Sequence, residues 1–146
     1  MIALLQRVTH ATLRIDGDEY SRIGAGLVVL LGIEQQDGET QADRLLQRLL
    51  SYRVFADDDG RMNCSLRDVG GEMMLVSQFT LAASTDKGLR PSFSSAMPPR
   101  EAEPLYDYMV ARALAEPGIG VATGRFGADM KVALENDGPV TFLLRI

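Results

Sequence analysis

Side chains that could do chemistry are most concentrated at the end of one apolar run. Residues 73–76 are all apolar, and Ser77, Gln78 and Thr80 follow with no turn residue before them. A continuous apolar run is typical of a strand buried on both faces. Hydroxyl and amide groups at the end of such a strand must either bond to nearby backbone or face a ligand. Both readings stay open at this point, and Thr80 is the obvious candidate nucleophile.

The composition limits what that chemistry can be. His10 is the only histidine and Cys64 the only cysteine. Unless His10 itself serves, the chain has no Ser-His-Asp or Cys-His arrangement, and a histidine metal cluster, a zinc finger and an internal disulfide are excluded. We expect His10 to be a surface residue. Nothing evident in the sequence would then activate Thr80 as a nucleophile.

Charge and length restrict the class of protein further. The net charge of −5 argues against a general nucleic-acid binder. It leaves room for a local basic patch, and Lys87 and Arg90 form the best basic pair, in a polar loop after the candidate residues. We predict one domain, residues 1–146, with no signal peptide and no apolar run near the length of about 20 residues that spans a bilayer. A single cysteine favours a cytosolic protein.

The elements that must position these residues follow from hydrophobic periodicity. Alternating or continuous apolar runs predict strands, and apolar residues at helical spacing predict two amphipathic helices, the first with Thr40 as its N-cap. The C-terminal segment predicts a hairpin with its turn at residues 136–139. The predicted strands are 2–8, 11–15, 19–23, 27–33, 54–55, 62–66, 73–81, 131–135 and 140–146, and the helices are about 40–52 and 99–114.

Two features depart from these patterns. Arg7 lies within an apolar strand, where it either faces solvent or is buried against a carbonyl or carboxylate partner. Pro139 follows Gly138 in the predicted turn, which removes a backbone donor and restricts the residue before it. The turn is either an ordinary proline-bearing turn or a cis turn that aims two consecutive carbonyls in one direction.

Two motifs resemble the signatures of a known family. Residues Ser77–Leu81 and Asn136–Thr141 are similar to the two signature motifs of D-aminoacyl-tRNA deacylases. Supporting likenesses occur at Leu5–Val8, Arg90–Phe93 and Thr123–Phe126, and order and spacing match along the whole chain. The resemblance implies a mixed α/β fold with two β layers, barrel-like, and two helices packed on one side.

The resemblance also implies an activity. The family hydrolyses the ester between a D-amino acid and the terminal ribose of tRNA, and it clears glycine wrongly attached to alanine tRNA. Its members are cytoplasmic homodimers that need no metal or cofactor, and their active sites lie at the subunit interface. The partner of the chain would therefore be the acceptor end of an aminoacyl-tRNA, and no membrane would be involved.

Carried onto this sequence, the resemblance implies roles for particular residues. Gly138 and Pro139 would form a cis peptide that reaches into the partner subunit's site, holds the amino group and leaves no room for an L side chain. Arg7 would fix that motif in place, and Met130 would form a pocket wall beside it. A glycine suits this position because a Cβ would obstruct close backbone approach.

The implied catalytic group is the polar strand end at residues 77–80. Ser77 would bind substrate, while Gln78 and the backbone N–H groups of Phe79 and Thr80 would orient the ester and stabilise the oxyanion. Attack would come from water assisted by the 2′-hydroxyl of the terminal adenosine, with Thr80 as nucleophile the alternative. Lys87 and Arg90 would contact tRNA phosphates. Two other functions remain open: a catalytically silent homologue that binds charged tRNA, and a hydrolase for another D-amino acid ester.

Overall fold

A six-stranded sheet built around a long first strand dominates the fold. The computed structural model describes residues 1–86 and 88–146, so Lys87 lies outside the described residues. The elements in chain order are β1 Ile2–Ile15, β2 Asp18–Ile23, β3 Gly26–Gly32, α1 Glu39–Ser51, β4 Phe55–Ala56, β5 Met62–Cys64, α2 Leu66–Val69, β6 Glu72–Ser77, a 3-10 helix Phe79–Ala82, α3 Pro99–Leu114, β7 Gly120–Thr123 and β8 Met130–Arg145.

Strand β1 pairs along both of its edges. Its first half pairs antiparallel with β3 and its second half with β2, while β8 runs antiparallel along the other edge from end to end. Strands β6 and β7 extend the sheet in parallel from β3. The Ser21 hydroxyl of β2 donates a hydrogen bond to the Thr123 carbonyl of β7 over 2.8 Å. That bond connects the two ends of the strand order, and the sheet becomes a nearly closed barrel.

Alternation along β3 and β6 divides the core into two layers. Val29 and Leu75 belong to the cluster that packs against α1 and α3, and Val28, Met74 and Val76 belong to a second cluster on the other side of the sheet. Helix α1 buries its whole predicted apolar stripe. Helix α3 buries most of its predicted stripe, but Val110 is only half-buried and Leu114, in the last turn, is 61% exposed. Fully burying each leucine contributes roughly 1.5–3 kcal/mol. The mixed α/β, barrel-like architecture with two long helices on one side is therefore confirmed. None of the helices formed by the described residues is long and apolar enough to cross a membrane.

The predicted C-terminal hairpin is wrong. Residues 130–145 form one continuous strand, because β1 is long enough to pair with both of its halves. Asn136 pairs with Val8 and Thr141 with Gln6, so β8 advances five residues where β1 advances two. The extra residues form a bulge that contains Gly138 and Pro139. The Asp-Gly hairpin signal is overridden here by pairing with a distant strand.

Other boundaries also differ from the predictions. The two strands predicted at 2–8 and 11–15 are one strand, with His10 exposed within it. Helix α1 begins at Glu39 after Gly38, ahead of the predicted cap at Thr40. The strand predicted at 62–66 ends at Cys64, because Ser65 caps the short helix α2: its Oγ accepts from the Asp68 N–H. The strand predicted at 73–81 ends at Ser77, and the 3-10 helix follows.

Candidate active site

The polar residues at the end of β6 lie where the strand gives way to the 3-10 helix. The Gln78 N–H donates to the Leu31 carbonyl over 2.7 Å, which continues the sheet bonding for one more residue. The 3-10 helix that follows packs against Gly32 of β3, where an added Cβ would lie 2.9 Å from the Leu81 Cβ. Glycine at this position of β3 therefore allows the 3-10 helix to pack close to the sheet.

Thr80 is exposed, and its hydroxyl oxygen is engaged by a neighbour. Gln78 Nε2 donates to Thr80 Oγ1 over 2.5 Å. By position, the N–H groups of Phe79 and Thr80 have no acceptor inside the 3-10 helix that they begin. The strand end thus presents an amide, a hydroxyl and the first donors of a helix side by side. Such a group can bind a carbonyl oxygen and stabilise negative charge on it.

A cavity of about 840 Å³ adjoins this strand end. Its lining includes Ser77, Gln78 and Phe79 at the end of β6 and just beyond it. Phe126, from the segment between β7 and β8, and Met130, the first residue of β8, line it as well. The volume falls in the range of small-molecule sites, which are mostly apolar with a few polar groups to fix orientation. The arrangement suits a ligand with a large apolar or aromatic part and one polar centre.

A buried tyrosine supports two walls of the cavity. The Tyr106 hydroxyl on α3 lies 2.9 Å from the Leu75 carbonyl of β6 and 3.3 Å from the Gly124 carbonyl beyond β7. Its ring lies 6.0 Å from that of Phe126, centroid to centroid. Burial raises the pKa of Tyr106, so the phenol stays protonated and remains a donor.

Arg7 and the β8 bulge form a second cluster. Arg7 Nη1 donates to the Val54 carbonyl over 2.6 Å, and Nε lies 3.2 Å from the Asp137 carbonyl and 3.0 Å from Asp137 Oδ2. The Arg7 side chain is only 14% exposed. Of the two arrangements considered for this arginine, the structure has the partnered one. A cation held by a carboxylate and two carbonyls ties the bulge to the segment before β4.

Gly138 lies at the centre of that bulge. Its φ is +130°, a conformation that L residues rarely adopt, and the peptide bond to Pro139 is cis. An added Cβ would meet Val140 Cγ2 at 2.7 Å and Arg7 Nη2 at 3.1 Å. Asn136 stabilises the bulge, because its Oδ1 accepts a hydrogen bond from the Val140 N–H over 2.7 Å. The local fold therefore requires glycine at this position.

Within one chain, the predicted site residues fall into two groups. Ser77, Gln78, Phe79 and Met130 line the cavity, with Thr80 next along the chain. The second group, Arg7, Gly138 and Pro139, is absent from that lining, and so is Arg90. The prediction for Lys87 falls outside the described residues.

The cavity also contains residues to which the sequence assigned no role. Among them are Gln35, Phe93 and Phe126. The only signal for the last two was their presence in the flanking motifs that resemble the family. Across residues 1–86 and 88–146, no group of three His, Cys, Asp or Glu side chains is placed to hold a metal ion.

Comparison with known proteins decides the family. The model of the family described as D-Tyr-tRNA(Tyr) deacylase matches residues 4–145. The chain belongs to the D-aminoacyl-tRNA deacylase family. A D-aminoacyl-tRNA deacylase of Aeromonas hydrophila is 58% identical over 146 residues, and one of Escherichia coli O81 is 53% identical over 146 residues, each covering 100% of both chains. The predicted class of enzyme, a hydrolase of ester bonds in aminoacyl-tRNA, is confirmed.

Solved structures agree with the D-aminoacyl-tRNA deacylase assignment at the level of the fold. The structure titled c-Myc DNA Unwinding Element Binding Protein superposes with a TM-score of 0.94 at 38% identity, covering 100% of this chain and 99% of that one. A probable eukaryotic D-amino acid tRNA deacylase superposes with a TM-score of 0.84 at 18% identity, covering 99% and 98%. The second likeness shows the fold alone.

Proposed function

We propose that the chain hydrolyses the ester that joins a D-amino acid to the terminal ribose of tRNA, and likewise removes glycine from alanine tRNA. The reaction releases the free amino acid and the intact tRNA. Family membership supports the class of reaction. The observation that carries the assignment of the site is the polar strand end, Ser77 to Thr80, at the edge of a large, mostly apolar cavity.

The attacking group in this proposal is water. It adds to the ester carbonyl carbon, the bond to the ribose oxygen breaks, and the departing oxygen takes up a proton. The 2′-hydroxyl of the substrate's adenosine assists the attack, and the Phe79 and Thr80 N–H groups stabilise the oxyanion. Thr80 itself orients the ester, because its Oγ1 already accepts from Gln78 Nε2. His10 contacts Thr9 at 2.9 Å and is absent from the cavity lining, so it offers Thr80 no base.

Selection between D and L substrates is proposed to need a second subunit. Gly138 and Pro139 do not line the cavity of their own chain, yet Arg7 and Asn136 hold them firmly. A rigid, glycine-bearing backbone segment can approach a ligand closely and exclude a side chain by steric contact. A homodimer in which each bulge enters the partner's site would unite the two groups. Steric exclusion also leaves the apolar cavity free to accept many different D side chains.

Location and tRNA contacts complete the proposal. Charged tRNA is made and used in the cytoplasm, so we propose that the enzyme acts there. Arg90 is exposed in the loop that follows the polar strand end. Together with Lys87 it would offer positive charge to acceptor-strand phosphates. Specific binding of one RNA end through a local patch is compatible with an acidic protein.

Deacylation of D-tyrosyl-tRNA and L-tyrosyl-tRNA, measured side by side, tests the proposal. We expect rapid release of D-tyrosine and no release of L-tyrosine above the spontaneous rate. Equal rates for the two would contradict the chirality selection. Tight binding of D-tyrosyl-tRNA without turnover would instead indicate a catalytically silent homologue. Sedimentation of the same preparation should give the mass of a dimer.

A further inference from the structure

Two aromatic rings are exposed beside the polar strand end, residues 77–80. Phe79 is 61% exposed and Phe93 is 43% exposed, and their ring centroids lie 5.1 Å apart at an interplanar angle of 48°. Both residues belong to the edge of the cavity. Apolar rings of this size are normally withdrawn from water. A paired and exposed arrangement therefore needs a reason.

The loop that carries Phe93 is held in place on both sides of the ring. Two backbone hydrogen bonds join Ser84 and Ser92, at 2.8 and 2.9 Å. On the other side, Gln35 Nε2 donates to the Ser94 carbonyl over 2.6 Å. The Phe93 carbonyl itself accepts from the Ala96 N–H over 3.1 Å. The exposure of the ring is thus set by a bonded backbone.

We propose that the Phe79–Phe93 pair is a stacking subsite for a nucleobase of the single-stranded acceptor end, namely the base that precedes the terminal adenosine. The inference rests on the proposed function, because it assumes that the ester binds at the polar strand end. Unpaired bases stack on aromatic side chains without regard to sequence, since every base has an aromatic face. Such a subsite would serve all tRNAs alike.

The position of the pair favours a nucleotide over other occupants. The Phe79 ring projects from the residue whose N–H is proposed to bind the ester oxygen, so the nucleotide next to the reacting ribose must pass close to it. The surroundings are polar, with the Ser92 and Ser94 hydroxyls 3.1 Å apart and Arg90 exposed nearby. Hydroxyls and a cation suit a sugar and a phosphate. The core of a protein–protein interface is instead depleted of charge.

The test compares one variant on two substrates. Phe93→Ala is assayed on D-tyrosyl-tRNA and on the D-tyrosyl ester of adenosine alone, which lacks the preceding base. We expect kcat/KM on the tRNA to fall about tenfold more than on the adenosine ester, chiefly through KM. Phe93→Trp should restore the tRNA activity, whereas Phe93→Leu should not. Leu89→Ala is the matched control, since Leu89 is a fully exposed apolar residue of the same loop. This variant should leave kcat/KM unchanged on both substrates.

Several results would overturn the inference. Equal losses on both substrates would mean that the ring only supports the active-site backbone. Full rescue by Phe93→Leu would indicate apolar packing in place of stacking, and a shift of Phe93→Ala to half the native mass would place a second subunit on the ring. With a tRNA that has an abasic nucleotide before the terminal adenosine, wild type and Phe93→Ala should have the same kcat/KM; a difference that persists on this substrate would also overturn the inference. If wild type deacylated neither substrate, the proposed function itself would fail; if it deacylated both, only the stacking subsite would be at stake.

Discussion

Gly138→Ala is the most direct perturbation of the bulge that is proposed to select D substrates. Glycine is required there for two separable reasons. Its φ of +130° is strained for any L residue, and an added Cβ would lie 2.7 Å from Val140 Cγ2 and 3.1 Å from both the Val140 nitrogen and Arg7 Nη2. Of these three neighbours, the Val140 nitrogen belongs to the backbone and Arg7 holds the bulge in place. Neither the Val140 backbone nor the Arg7 side chain can move away without displacing the motif.

The expected cost is the sum of these two contributions. A residue held in a sparsely populated backbone conformation costs roughly 1–3 kcal/mol, and inserting a methyl group into a packed site costs about 1–3 kcal/mol more. The two ranges add to about 2–6 kcal/mol, so we expect a loss of about 4 kcal/mol in the free energy of unfolding. Gly118→Ala is the matched control, because Gly118 has a φ of +75° and no atom within 4 Å of an added Cβ. It should cost only about 1 kcal/mol.

Two assays measure the outcome at one fixed protein concentration, since unfolding of the proposed dimer would depend on concentration. Urea denaturation should separate the free energies of unfolding of the two variants by about 3 kcal/mol. Deacylation of D-tyrosyl-tRNA should fall by roughly a hundredfold in Gly138→Ala, the loss typical of a misplacement of about 1 Å, and stay unchanged in Gly118→Ala. If Gly138→Ala were no less stable than Gly118→Ala and kept full activity and D selectivity, the steric reasoning would be refuted.

Two further predictions concern catalysis and pH. Thr80→Ala should keep most of the single-turnover rate on D-tyrosyl-tRNA if the hydroxyl only orients the ester; complete loss with intact folding and substrate binding would favour a nucleophile. The Arg67 guanidinium, 2.7 Å from Glu116, lowers the pKa of that carboxyl below its ordinary value of 4.5. The stabilisation is therefore present above pH 4.5 and lost as pH falls through the lowered pKa. Glu116→Gln should cost at most about 1 kcal/mol at pH 7, because the pair is partly exposed. The cost should be smaller at pH 3 than at pH 7, because protonation of Glu116 removes the ion pair as pH falls through the lowered pKa. Urea denaturation at both values will measure this, and an equal cost at both would exclude the ion pair as its source.

The sequence by itself determined those features that depend on local pattern. Apolar spacing identified both long helices, because residues at that period fall on one face only when the chain is helical. The apolar run at residues 73–76 identified a buried strand with polar side chains after it, although the structure ends that strand at Ser77 and not at residue 81. The two motifs identified the family, which the comparisons confirm.

Only the tertiary structure decided features that depend on distant partners. Whether residues 136–139 form a hairpin turn or a bulge depends on the length of β1, which lies more than a hundred residues away in the chain. The partners of Arg7 come from Val54 and Asp137, which no local pattern connects. The cavity wall at Phe126 and the bonded loop that exposes Phe93 likewise come from contacts between separate segments. Periodicity reports which face of an element is buried, whereas pairing and register are set by the segments that meet there.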